Sequence, residues 1–218
     1  MPAHSPAPIQ AVLFDYGVVL SGPPHPSAWR EMVAITGLSE SEFSAAYWAP
    51  RHEYDRGALT GAAYWRVAAQ HAGLTLTDAQ VADLLAADDI LWTQRNEPMV
   101  AWAQRLQAAG MRTGILSNLG DAMTAGVLAR QPWLARFDYQ LWSYQVKMAK
   151  PELEIYRIAI DGLGVDASTI LFIDDRATNV TAALECGLQA ILYVSQPEFE
   201  AEMERRSLGH LLRLGEGR

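Results

Sequence analysis

The chain has 218 residues, enough for one domain with an insertion or two small ones, and at 50% hydrophobic and 19% charged it is neither disordered nor fibrous. Its 17 Lys and Arg against 25 Asp and Glu leave a net charge of −8, which excludes a broad basic face, so no nucleic acid or membrane partner is expected. The single cysteine, Cys186, excludes an intrachain disulfide and a redox pair and reads as a buried helix residue; no apolar run approaches the roughly 18 residues of a membrane span, the start MPAHSPAPIQ lacks the regions of a signal peptide, and a cytoplasmic setting is the expectation.

After the Pro-rich start, Ala11-Val12-Leu13-Phe14 is a continuous apolar run of the kind buried on both faces of a parallel sheet, with Asp15 at its end. From about Ser21 to Glu97 the spacing turns helical, as in Trp29, Met32 and Val33, then Tyr64, Val67 and Ala68, then Val81, Leu84 and Leu85. This stretch, 21–96, reads as a helical insertion that leaves after the first strand and can lie over the strand ends as a lid. A helix is expected from Met99 to Gly110, and further strands at Arg112 to Leu116, Tyr139 to Trp142, Ile170 to Ile173 and Ala190 to Val194. Another helix follows Lys150, with Pro151 at its first position, Ile155, Ile158, Ala159 and Leu163 on one face and Gly164 at its stop. The alternation implies an α/β core, 1–20 plus 97–218, with a mostly parallel sheet, helices on both faces and ligands at the carboxyl ends of the strands.

Acidic residues stand at two of those ends: Asp15, and Asp174 with Asp175. Carboxylates brought to one sheet edge repel unless a cation lies between them, and Mg²⁺ is the natural candidate; for either site alone an acidic helix cap is an equal reading. A third strand ends in Leu116-Ser117-Asn118-Leu119-Gly120, which offers a hydroxyl and turn amides to a phosphoryl oxygen, and Lys150 can bring a point charge to the same edge or lie on the surface.

Together FDYGVVL, ILSNLG, the Lys150-Pro151 pair and FIDDRATN, in that order and with a helical insertion after the first, resemble the four motifs of the haloacid dehalogenase superfamily over the whole chain. The resemblance implies a doubly wound parallel sheet with an inserted helical cap. It makes Asp15 the nucleophile and a Mg²⁺ ligand, the Gly17 carbonyl a second ligand, and Asp174 and Asp175 the anchors of the metal. Ser117 and the Asn118 amide would bind the phosphoryl group, and Lys150 would neutralise charge on both Asp15 and the phosphoryl oxygens. The function implied is Mg²⁺-dependent phosphomonoester hydrolysis of a small phosphorylated metabolite through an aspartyl-phosphate. Two alternatives stand beside it: a 2-haloacid dehalogenase, disfavoured by the second carboxylate of the Asp174-Asp175 pair, and a catalytically weak regulatory or interaction protein.

The departure from the pattern is Gly17, where phosphatases of the superfamily usually carry an Asp as general acid and base; sugar-phosphate phosphatases of the glucose-1-phosphate type have a similar Asp-x-Gly opening. Without that carboxyl, substrates whose leaving group departs unprotonated, such as anomeric sugar, acyl or aryl phosphates, are expected to react faster than alkyl phosphates by about 10² to 10⁴. His25 is an alternative proton source, more simply read as a loop histidine. Trp48, His52, Tyr54, Asp55 and Arg56 form a polar-aromatic cluster that can face the site from the cap, while Arg176 and Asn179 read as helix caps.

Overall fold

The computed structural model describes residues 7–215. The first apolar run forms β1 (Ala11–Phe14), and every one of its side chains is buried. Val12 and Phe14 enter one layer of the core, where Phe14 meets Trp102 and Phe137 edge-on at 5.5 and 5.9 Å, and Ala11 and Leu13 enter the other with Tyr156 and Phe172. A strand covered on both faces has no solvent side to mark with polar residues, which is why the run is continuous rather than alternating.

Beyond a tight turn at Tyr16–Leu20 the chain enters five helices, α1 (Pro26–Thr36), α2 (Glu40–Trp48), α3 (Arg51–Asp55), α4 (Gly61–His71) and α5 (Asp78–Leu91). Local chemistry sets their ends. Ser39 with Glu42 and Thr77 with Gln80 form capping boxes at the starts of α2 and α5, and Gly37 closes α1 in the left-handed conformation at φ 70°. The two connections of this helical segment run side by side: Ser21 bridges antiparallel to Arg95, Gly22 N donates to the Gln94 carbonyl at 2.7 Å, and Asn96 N to that of Leu20 at 3.0 Å.

The remainder is α6 (Glu97–Ala108), β2 (Arg112–Ser117), α7 (Asp121–Arg130), β3 (Tyr139–Trp142), α8 (Ser143–Val146), α9 (Leu153–Leu163), β4 (Ile170–Asp174), α10 (Ala177–Glu185), β5 (Gln189–Leu192), α11 (Gln196–Arg205) and α12 (Gly209–Leu212). Among the described residues there are five strands, all parallel, in the order β3-β2-β1-β4-β5. Phe14 is level with Ile115 on one side and Ile173 on the other, so the next residues, Asp15, Leu116 and Asp174, share the carboxyl edge of the central strands. No helix among the described residues is long and apolar enough to cross a membrane.

Some boundaries differ from the sequence reading. Pro151 does not open α9: Glu152 N donates to the Ala149 carbonyl and its carboxylate accepts from Ala149 N, both at 2.9 Å, so residues 149–152 close a turn and the helix starts at Leu153. α6 begins two residues before Met99, because Pro98 in the first turn has no hydrogen bond to lose. β5 stops at Leu192, after which Val194 is exposed and Ser195 caps α11. Cys186 is only half-buried and sits at the C-terminal end of α10 rather than inside it.

Candidate active site

At the edge of the sheet Asp15, Asp174 and Asp175 each offer a carboxylate oxygen, and these oxygens lie within 4.8 Å of one another. Lys150 reaches into the cluster fully buried, its Nζ 2.9 Å from Asp15 Oδ1 and 2.6 Å from Asp174 Oδ2. Burial works against the ammonium charge, but attraction to Asp15 and Asp174 outweighs it and holds the lysine above its ordinary pKa. Asp15 is pushed up to about 7, by burial first and then by Asp174 and Asp175, with Lys150 pulling the other way. With all three carboxyls ionised, one ammonium leaves two negative charges, and a set of hard oxygen donors in excess negative charge fits Mg²⁺; Gly17 also lines the cavity.

The loops that carry these groups are stitched together. The Asn118 side chain donates to the Lys150 carbonyl at 2.9 Å and accepts from Lys150 N at 2.8 Å, so it positions the lysine, and a contribution of Asn118 to a ligand falls to its main chain. Ser117 ends β2 buried at the same edge. Asp174, without solvent exposure, accepts from Lys150 Nζ, from Arg176 N at 2.8 Å and twice from Asn179 Nδ2, at 2.9 and 3.1 Å. Asn179 is therefore a buried partner of the acidic cluster rather than a helix cap. Arg176 does occupy the N-cap position, but without a side-chain capping bond, and its side chain belongs to the cavity wall. On Asp15, Tyr16 N at 2.7 Å and Lys150 both bond Oδ1, which leaves Oδ2 as the oxygen with no protein donor among the described residues.

Above the cluster lies a cavity of about 360 Å³, lined from the core by Asp15, Gly17, Ser117, Asn118, Lys150 and Asp175 and from the helical segment by Trp48, Arg51, His52 and Asp55. Of the polar-aromatic cluster expected from sequence, Tyr54 and Arg56 are not in this wall. Tyr54 is buried, stacked on Tyr64 at 4.5 Å, and its hydroxyl accepts from Met123 N, which docks α3 on the core; Gly120 leaves room for it, since a Cβ there would overlap the Tyr54 ring. Arg56 pairs with Glu152 at 3.2 Å in solvent. His25 is half-buried, bonded to Ser27 at 2.9 Å, and outside the wall.

Arg51, absent from the sequence reading, is buried in the wall. Its Nε bonds Asp55 Oδ1 at 2.7 Å and its Nη1 the Tyr47 hydroxyl at 2.6 Å, and Tyr47 in turn donates to Asp88 Oδ1 at 3.1 Å. The second Asp88 oxygen is buried without a partner, and burial pushes this carboxyl up to about 7 despite Arg51 and Tyr47. A carboxyl whose folded pKa lies above the unfolded value of about 3.9 favours the fold below that value, and the contribution is lost as pH rises through about 7. Asp88→Asn keeps an acceptor for Tyr47 and removes the titration. Melts should show the variant gaining on the wild type by several °C between about pH 5 and 8; parallel curves would mean that Asp88 stays ionised throughout.

The haloacid dehalogenase-like hydrolase family matches residues 9–187. Among curated proteins the chain is similar to bifunctional epoxide hydrolase 2 of Rattus norvegicus, 32% identical over 114 residues, which are 50% of this chain and 21% of that protein. The Mus musculus counterpart is 24% identical over 90% of this chain and 38% of its own length, so the chain spans well under half of these relatives. It is also similar to (S)-2-haloacid dehalogenase 1 of Pseudomonas sp., at 29% identity over 50% of this chain and 49% of that one. A family enzyme of Bacteroides thetaiotaomicron superposes with a TM-score of 0.73 at 22% identity, covering 90% of this chain and 99% of that one, and has also been solved with magnesium and inorganic phosphate. An L-2-haloacid dehalogenase from Xanthobacter autotrophicus with chloropropionic acid covalently bound superposes at 0.66, with 19% identity over 94% of this chain and 86% of that one. With a family match across most of its length, the chain belongs to the haloacid dehalogenase-like hydrolases.

Proposed function

We propose that the protein is a Mg²⁺-dependent phosphomonoesterase that acts on a small phosphorylated metabolite, sugar phosphates included, through an aspartyl-phosphate on Asp15. The observation that carries this reading is Asp175, a half-buried carboxylate in the cavity wall whose pKa is raised by burial and then by Asp174. A third carboxylate at a site for anionic substrates is tolerable only with a cation present. Mg²⁺ would be held by Asp15, Asp174, Asp175 and the Gly17 carbonyl, and when bound it supplies positive charge against the phosphoryl oxygens. Asp15 Oδ2 attacks phosphorus, while Lys150, Ser117 and the Asn118 main chain hold the phosphoryl oxygens. The magnesium and phosphate held by the Bacteroides enzyme support the same reading.

A second reading, 2-haloacid dehalogenation, has its own support in the dehalogenases the chain resembles and in Lys150, which already neutralises Asp15 without a metal. There Asp15 would attack carbon, and the substrate carboxylate would face an unscreened Asp175. Turnover of a phosphate panel and of 2-chloropropionate, each with Mg²⁺ and with EDTA, separates the two. Phosphate release that EDTA abolishes is expected; halide release that ignores EDTA would sink the first reading.

We further propose that 21–96 is a cap that moves on the paired stalk formed by Leu20–Gly22 and Gln94–Asn96 over a core of 1–20 and 97–218, and that its wall selects the substrate. Trp48, 44% exposed, and His52 line the cavity, and Trp48→Ala or His52→Ala should reorder kcat/KM among large substrates more than it changes the rate on a small generic phosphate. Equal losses on every substrate would assign both residues to structure instead.

A further inference from the structure

Gly17 puts no carboxyl beside Asp15, yet hydrolysis of an alkyl phosphate has to move two protons, one onto the departing oxygen and one off the attacking water. The cavity wall holds one more carboxyl, on the cap side. Asp55 ends α3 with 15% of its side chain exposed; its Oδ1 takes the Arg51 Nε at 2.7 Å, and its Oδ2 has no hydrogen-bond partner among the described residues. The residue is fixed from two directions. Arg51 is itself held by Tyr47, and the Asp55 carbonyl accepts from the Ser143 hydroxyl, which also accepts from Leu119 N at 2.9 Å in the loop after Ser117 and Asn118.

We propose that Asp55, which lines the same cavity as Asp15 from the cap side, is the general acid and base of the phosphomonoesterase reaction in place of the carboxyl that Gly17 lacks, and that Arg51 is its positioning residue. The assignment rests on the phosphatase reading above. In the first half-reaction the Asp15 Oδ2–phosphorus bond forms, the phosphorus–oxygen bond to the leaving group breaks, and the proton on the Asp55 carboxyl passes to the departing oxygen. In the second, water attacks phosphorus, its proton passes to the Asp55 carboxylate, and the bond to Asp15 breaks, which releases phosphate and restores both residues. Burial raises the Asp55 pKa against the pull of Arg51, in the direction that keeps a proton available. His52 shares the wall, but its ring is exposed and nothing comparable fixes it, whereas proton transfer depends on a positioned group. The preference for aryl and anomeric phosphates expected from Gly17 alone then disappears.

The test is the dependence of kcat/KM on the leaving group, from 4-nitrophenyl phosphate to a simple alkyl phosphate, with Mg²⁺ present. The wild type should show a shallow dependence. Asp55→Asn should lose about 10² to 10⁴ on the alkyl ester and a far smaller factor on the nitrophenyl ester, whose anion leaves unaided. Gly17→Asp in the Asp55→Asn background should recover at least about tenfold on the alkyl ester, since position 17 has φ −61° and an added Cβ meets nothing within 4 Å. Equal losses on both esters, no recovery with Gly17→Asp, or the selective loss appearing in His52→Gln instead would overturn the assignment. If Asp55→Asn does not fold, the wild-type series decides alone: a preference for the aryl ester of about 10² or more means that no acid acts, while the phosphatase reading stands. A wild type inert on every phosphate ester would remove that reading and this assignment together.

Discussion

Asp15→Asn should reduce phosphate release to background, a loss of at least about 10⁴, while the protein keeps its fold. The substitution is nearly isosteric. The Asn oxygen can still accept from Lys150 and Tyr16 N, the two donors that now bond Oδ1. What goes is the carboxylate proposed as nucleophile, whose Oδ2 is the oxygen free of protein donors among the described residues. The cluster also drops from three carboxylates against one ammonium to two, so its net charge changes from −2 to −1 and its hold on a cation weakens. Calorimetric titration should therefore show weaker Mg²⁺ binding in the variant independently of turnover, and the melting temperature should stay close to that of the wild type because one of three clustered like charges has gone. Full phosphatase activity in Asp15→Asn would refute the nucleophile, and full activity of the wild type in EDTA would refute the metal.

The parts of the molecule that could be read from sequence are those whose signal is local. A strand buried on both faces is a short apolar run whichever neighbours it has, so β1, β2, β3 and β4 were legible within a residue or so, and carboxylates at their ends followed from the parallel register. Asn179 was not. It sits in the first turn of α10, where side chains tilt back toward the helix N-terminus, and that tilt delivers its amide to Asp174. The helical segment shows the same limit. Trp48, Arg51, His52 and Asp55 follow helical spacing and face the cavity, while Tyr54 falls on the opposite side and Arg56 beyond the end of α3. The period could have separated those two sets and brought in Arg51 as the i, i+4 partner of Asp55. Which set faces the active site is fixed by Tyr54 seating on Met123 and Gly120, and by Gly57, at φ 76°, passing against Tyr144 where no side chain fits. Such contacts join residues far apart in sequence and leave no local pattern.

Lys150→Met tests the charge balance from the other side, and its effect should be visible in stability as well as rate. The wild-type ammonium is 1% exposed, 2.9 and 2.6 Å from two buried carboxylates, and 5.5 Å from the centre of the Phe172 ring. Methionine fills much the same volume and packs well against that ring, so little is lost in van der Waals contact. The carboxylates are the problem. Asp174 has no solvent exposure and among the described residues keeps only the Asn179 amide and the Arg176 N–H, and Asp15 only the Tyr16 N–H. Removing one partner of a buried ion pair typically costs about 3 to 5 kcal/mol, and for a chain of this length each kcal/mol moves the melting temperature by about 2 to 4 °C. A drop of about 6 to 20 °C is therefore expected without metal, together with a loss of about 10² to 10³ in turnover as the charge facing the phosphoryl oxygens disappears. Added Mg²⁺ should raise the melting temperature of the variant more than that of the wild type, because a cation among three carboxylates replaces the missing ammonium as well as its own contribution. A variant that melts within about 2 °C of the wild type and ignores Mg²⁺ would show that the cluster tolerates its own repulsion, and both the ammonium and the metal would lose the roles given to them here.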